Sequence, residues 1–206
     1  MRAYHGIRPR GVTVQQSEIA ALLDAAPTFL RLWILLCSDL AIRSGTAARL
    51  GPYQYDAAEQ MLRFTTKRQA RLALPVTEEI AELLALCDLR DPTSFVRQLW
   101  IRHPRSLGRK PRADCTSADR LRILFRLLCK EQGITRRITP HDLRRTTAVG
   151  MLRLTHDVRD VQAILGHRSL QSTIWYLDHD LRPVPRHNLE LIKRRSAAAE
   201  SDTRSA

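Results

Sequence analysis

"MLRFTTKRQARLALPV", residues 61–76, is where the hydrophobic period of this 206-residue chain changes. Leu62 and Phe64 alternate with Arg63 and Thr65, and Leu72, Leu74 and Val76 alternate with Arg71 and Ala73. A period of two is the signature of a strand with one buried face. Two such runs around a short polar stretch predict a β-hairpin with its tip near Lys67–Ala70. "YQYD", residues 53–56, adds a third short strand ahead of it. The other patterned segments repeat every three to four residues, as helices do. The expected fold is therefore mainly α with a small antiparallel β-sheet, an α+β architecture in which the sheet follows the second helix.

Upstream of the hairpin, Thr13 and Gln16 resemble a capping box that opens a helix to about Ala26, with Ile19, Leu22 and Leu23 on one face. Pro27 stops it. A second helix is expected from Thr28 to about Leu40, with Phe29, Trp33, Leu36, Cys37 and Leu40 as its apolar stripe. "RSGTAARLG", residues 43–51, reads as a turn and a short helix. Downstream, Thr77 caps a helix whose first turn carries Glu78 and Glu79 at its positive end. Residues 94–101 read as helical. "RHPRSLGRKPRADCTS", residues 102–117, is a basic loop suited to mobility or to tracking phosphates. Ser117 caps a helix that Gly133 ends. Thr139 and Pro140 open another, running to about Leu154. Asp157 opens a shorter one, ended by Gly166, and Ser172 caps a further turn carrying Tyr176. Residues 185–196 read as a last helix. The expected layout is a flexible basic lead-in over 1–12, one domain over 13–196 and a disordered tail over 197–206.

Lys and Arg number 34 against 21 Asp and Glu, a formal charge of +13. Such an excess favours a polyanionic partner, because neutralised phosphates release their condensed counterions. Arginine dominates, and its planar fork suits phosphate oxygens. An anionic membrane surface is the rival, but no cationic helix with a bulky apolar face stands out. No apolar run approaches the ~20 residues that cross a bilayer, and "MRAYHGIRPRG" lacks the apolar core of a signal peptide. The expected location is the cytoplasm. Cys37, Cys87, Cys115 and Cys129 lie far apart without zinc spacing and read as reduced core thiols.

Several residues could carry chemistry. In "TPHDLRR", residues 139–145, His141 and Arg144 are three apart in a first helical turn, where free amides and the helix dipole already favour an anion. Arg43 follows the apolar second helix. Lys67 sits at the hairpin tip. His167 follows the helix-ending Gly166, and Tyr176 comes nine residues later among Ile174, Trp175 and Leu177. Each alone reads as an ordinary surface or core residue. Their order changes the reading.

Arg43, then Lys67 on a hairpin, then His141-x-x-Arg144, then Leu165-Gly166-His167, then Tyr176, resembles the catalytic domain of the tyrosine recombinases, the phage-integrase family. The stretches "LAIRSGTAARL", "TTKRQARLALPV", "TPHDLRRTTAVGML" and "VQAILGHRSLQSTIWYLD" carry the resemblance over about residues 12–195. It implies a site-specific recombinase that breaks and rejoins double-stranded DNA with no metal and no cofactor. Tyr176 would attack the scissile phosphate and leave a 3′-phosphotyrosyl link and a free 5′-hydroxyl. Arg43 and Arg144 would hold the non-bridging oxygens and Lys67 would protonate the leaving oxygen. His141 would assist proton transfer at the tyrosine, and His167 would hydrogen-bond the phosphate. It also implies a tetramer on DNA, a monomer or dimer when free, and nucleoid association when bound.

The chain departs from the family in two places. Thr46 stands three residues after Arg43, where the family commonly has an acidic residue. About a dozen residues precede the first helix, where most relatives have a DNA-clamping domain, so a short form or a fragment is expected. The resemblance implies that the segment after the tyrosine docks on a neighbouring protomer, and Leu189 and Ile192 would serve this here or dock equally well on their own domain. The rival readings are a helix-turn-helix regulator over "DVRDVQAILGHRSLQSTIWYLD", an inactive integrase remnant, or a type IB topoisomerase, for which the chain is short.

Overall fold

The helix Thr28–Ser38 (α2) is apolar on nearly every side, with Arg31 its one charge, and nine of its eleven residues are buried, Trp33 and Leu36 completely. Such a helix belongs at the centre of a fold, not on its surface. In this computed structural model, which describes residues 13–66, 69–102 and 117–177, six other helices pack against it. They are α1 (Gln16–Ala25), α3 (Ser44–Ala47), α4 (Glu78–Ala85), α5 (Phe95–Arg102), α6 (Ala118–Glu131) and α7 (Pro140–Thr155), followed by α8 (Val158–Leu165) and α9 (Leu170–Leu177). Phe29 meets Trp100 edge-on at 4.4 Å, Trp33 meets Phe125 at 6.1 Å, and the Trp33 indole donates to the Ser44 carbonyl at 3.0 Å. The sequence stripe is thus one side of a helix that is apolar on nearly every side. It ends at Ser38, two residues earlier than expected, and Leu40 is buried from the loop beyond.

A single 3-10 turn at Pro52–Gln54 leads into β1 (Tyr55–Asp56), β2 (Met61–Thr65) and β3 (Arg71–Pro75). They form an antiparallel sheet in the order β1-β2-β3. Leu62 pairs with Leu74 and Phe64 with Leu72, so the alternating apolar residues share the face turned to the core. The mainly helical fold with one small antiparallel sheet is as the sequence predicts. At the hairpin tip the Thr66 amide donates to the Ala70 carbonyl at 2.8 Å, and the Thr66 hydroxyl accepts from the Ala70 amide at 3.1 Å. Lys67, expected at this tip, lies outside the described residues, as do the expectations for 1–12, the 103–116 part of the basic loop, Cys115 and everything after Leu177.

Local capping signals hold at Thr77, Ser117 and Asp157, whose side chains accept from the amides of Ile80, Arg120 and Arg159. Two helix starts differ from the expectation. Gln15, not Thr13, caps α1, with its amide bonded to Glu18 at 2.8 Å, and Arg136 ties both Glu18 and the Thr13 carbonyl from across the fold. Ser172 lies inside α9, its amide bonded to the Ser169 carbonyl at 3.1 Å, so this helix begins earlier than expected. Cys37, Cys87 and Cys129 are buried free thiols, raised by burial to about 12, 11 and 11.

Beside the main core lies a second apolar cluster. Ala41, Ala148, Val149, Val161, Leu165 and Leu177 bind the loop after α2 to α7, α8 and α9. This cluster brings together segments more than 130 residues apart along the chain (Ala41 and Leu177), and Tyr176 packs against it. Among the described residues, no helix is long and apolar enough to cross a membrane.

Candidate active site

The start of α7 is fixed locally. The Asp142 carboxylate accepts from the Thr139 amide at 2.8 Å and from the Thr139 hydroxyl at 2.6 Å, and Pro140 supplies the preset first turn. His141 therefore sits at the positive end of the helix, and Arg144 one turn further in. Arg144 is buried, 3% exposed. Its guanidinium donates to the Ala41 carbonyl and, at 2.8 Å, to the Leu165 carbonyl. One side chain thereby joins the loop before Arg43 to the end of α8 before His167. Ala41 holds φ +50, a left-handed conformation that costs a non-glycine residue about 1 kcal/mol. It directs its carbonyl to Arg144 and leads into Arg43, whose own carbonyl accepts from Thr46 and Ala47 at the start of α3.

His167 is placed by the left-handed turn at Gly166, φ +57. Its Nδ1 lies 3.1 Å from the hydroxyl of the fully buried Thr173, and its carbonyl accepts from Gln162 at 2.9 Å. A Cβ on Gly166 would sit 3.0 Å from Cδ1 of Leu72 on β3. Gly166→Ala therefore combines left-handed strain with a forced shift of Leu72. The expected cost is about 1–2 kcal/mol in urea unfolding.

Tyr176 closes the group. Its ring packs edge-on against His141 at 5.1 Å and His167 at 5.8 Å, and its hydroxyl reaches the His141 carbonyl at 3.4 Å. Burial pushes the phenol up to about 12, while Arg144, Arg145 and Arg43 pull against it. Burial also lowers the Arg144 guanidinium to about 10, reinforced by the like charge of Arg43, which leaves it protonated at neutral pH. His141 is held below its ordinary 6.5, first by the protein packed against it and then by Arg144. The structure thus gathers Arg43, His141, Arg144, His167 and Tyr176 around one small region. A phenol, two imidazoles and a set of guanidiniums suit a phosphate that is both held and attacked.

Residues 13–182 match the phage integrase family. This chain belongs to the phage integrase family. Of the integrases similar to it, a putative integrase/recombinase of Sinorhizobium fredii, y4gC, is 29% identical over 186 residues, 83% of this chain and 92% of that one. Tyrosine recombinase XerC of Chlamydia pneumoniae is 24% identical over 66% of this chain and 42% of its own length. The fold matches that of XerA recombinase with a TM-score of 0.63 at 22% identity, covering 91% of this chain and 66% of that one. It also matches XerH site-specific recombinase bound to a palindromic difH substrate, with a TM-score of 0.58 at 18% identity, covering 82% of this chain and 50% of that one. This integrase-family chain thus spans most of y4gC but less than half of XerC.

Sequence reading missed two residues of the group. Arg145 is 4% exposed, donates to the Tyr176 carbonyl at 2.6 Å and sets its Cζ 5.7 Å from the centre of the Tyr176 ring. It shares a helix face with Ala148 and Val149, both buried, and that spacing is the signal that could have found it. Thr173, bonded to His167 from six residues away, left no such signal.

Proposed function

We propose that this chain is a site-specific recombinase that cuts and rejoins double-stranded DNA through a 3′-phosphotyrosyl intermediate, with no metal and no nucleotide cofactor. The observation that carries the reading is the Tyr176 phenol packed between His141 and His167 and within the fields of Arg43, Arg144 and Arg145. Tyr176 Oη attacks phosphorus, the bond to the 5′-oxygen breaks, and the bond energy is kept in the phosphotyrosyl ester. Attack by the freed 5′-hydroxyl of a partner strand reverses the step. Arg43 and Arg144 hold the charge that builds on the non-bridging oxygens. Lys67 gives a proton to the leaving oxygen, and His167 hydrogen-bonds the phosphate.

With the phenol at about 12, on the order of 10⁻⁵ of it is ionised at neutral pH, so a base must take its proton as attack proceeds. His141 is neutral and adjacent. The XerH structure is a post-cleavage complex with DNA, which supports DNA as substrate here too. The active assembly is a tetramer on DNA, built from protein that is monomeric or dimeric when free and, in the cell, cytoplasmic and nucleoid-associated. A regulator without catalysis would account for the basic charge but would give the clustered phenol no task.

The test is a nicked DNA substrate that releases a short end after cleavage and so traps the covalent adduct. Adduct that survives denaturation supports the reading, and failure to trap any across candidate sites flanking the gene refutes it. The pH dependence checks the role of His141. Its pKa lies below 6.5, so it is neutral above that value and takes up a proton as pH falls through its lowered pKa. The single-turnover cleavage rate is expected to fall on that acid side, and His141→Gln to be slower and flat across it. An acid limb unchanged in His141→Gln would reassign the base.

A further inference from the structure

We propose that Arg145 is a positioning residue that clamps the nucleophile, holding Tyr176 by its main chain at one end and by its ring face at the other. The proposal rests on Tyr176 being the nucleophile.

A helix such as α9 draws most of its stability from packing and not from its own hydrogen bonds. Tyr176 lies on α9, beyond Thr173, whose hydroxyl meets His167. Arg145 reaches from α7 and donates to the Tyr176 carbonyl at 2.6 Å. The same guanidinium lies 5.7 Å from the centre of the Tyr176 ring, within cation–π range. A charge that is 4% exposed must be paired to be tolerated. Arg145 spends part of this pairing on the residue whose hydroxyl has to meet phosphorus.

The arrangement divides labour between neighbouring arginines. Arg144 ties the Ala41 and Leu165 carbonyls and so frames the place for the phosphate. Arg145 ties α9 to the same helix and so sets the distance of the phenol from that frame. His141 and His167 pack edge-on with the Tyr176 ring and its hydroxyl reaches the His141 carbonyl at 3.4 Å, whereas Arg145 holds the Tyr176 main chain. Removing the clamp frees α9 to shift, and a 1 Å misplacement of reacting atoms costs on the order of 10² in rate.

The experiment compares the parent with Arg145→Met, which keeps length without charge or donor, and Arg145→Lys, which keeps the charge with a single donor group. Hydrogen exchange in the free protein reads the clamp without requiring activity. In Arg145→Met, amide exchange over residues 170–177 is expected to rise about tenfold or more while α2 and α5 stay protected. On nicked DNA at saturating concentration, adduct formation is expected to fall about 10²-fold with DNA affinity within about threefold. Arg145→Lys is expected to recover part of both. Unchanged exchange over 170–177, exchange raised equally in α2 and α5, or parental cleavage despite a loosened α9 would each overturn the clamp. A parent protein that forms no adduct would overturn the nucleophile assignment instead, and the exchange result would still decide whether Arg145 holds α9.

Discussion

Tyr176→Phe is expected to abolish the covalent protein–DNA adduct, a loss of at least about 10⁴-fold in strand cleavage, while leaving the fold and DNA affinity nearly unchanged. The substitution removes one oxygen. In the free protein that oxygen makes a 3.4 Å contact to the His141 carbonyl, a weak bond by its length, and a side-chain hydrogen bond with the Arg144 guanidinium. The ring contacts to His141 and His167 and the bond from Arg145 to the main chain do not involve the hydroxyl. Stability should therefore change by no more than about 2 kcal/mol. Nothing else in the group can replace the phenol as nucleophile and leave the same link. Adduct trapped by Tyr176→Phe at even a tenth of the parental rate would place the nucleophile elsewhere. Loss of DNA affinity matching the loss of cleavage would mean that the phenol serves binding and not attack.

What could be read in the sequence follows the range of the interactions involved. The hairpin was legible because Leu62, Phe64, Leu72 and Leu74 alternate and pair across the two strands, so their register is a local matter. Thr77, Ser117 and Asp157 were legible as caps because each bonds an amide two or three residues on. The start of α1 was not, because Arg136, more than a hundred residues away, takes up Glu18 and the Thr13 carbonyl. The start of α9 was misplaced because Ser169 and Ser172 are equally good caps by type. Thr173, fully buried and bonded to His167, ties this segment to a partner outside it.

The candidate site divides in the same way. Arg43, His141, Arg144, His167 and Tyr176 were recognisable by their order along the chain, although no single one of them departs from an ordinary role. Their convergence depends on the small cluster of Ala41, Ala148, Val149, Val161, Leu165 and Leu177, whose members look like any other apolar residues in sequence. Arg145 was overlooked because an arginine pair in a basic chain reads as charge. Its burial, and its reach to the carbonyl of Tyr176, emerge only when α7 and α9 pack together.

Arg144→Ala should show a different signature from Tyr176→Phe, because this side chain supports the structure as well as its proposed phosphate. Truncation leaves the buried carbonyls of Ala41 and Leu165 without the donor that Arg144 now supplies. An unsatisfied buried acceptor costs about 1–3 kcal/mol, so a stability loss of about 2–4 kcal/mol is expected in urea unfolding. Cleavage should fall further than stability alone requires, by more than about 10³-fold at a temperature where the variant is folded. In the proposed reaction the guanidinium acts on charge that appears only as the phosphate is attacked, so its loss raises the barrier more than it weakens ground-state binding. DNA affinity is expected to fall by no more than about tenfold. Arg144→Lys separates the two contributions. It keeps a positive charge near Arg43 and Tyr176 but cannot bond two carbonyls and a phosphate in one plane. Part of the binding should return while cleavage stays about 10²-fold down. Equal losses of binding and cleavage in Arg144→Ala would remove it from the transition state and leave it a structural tie between α7, α8 and the loop before Arg43.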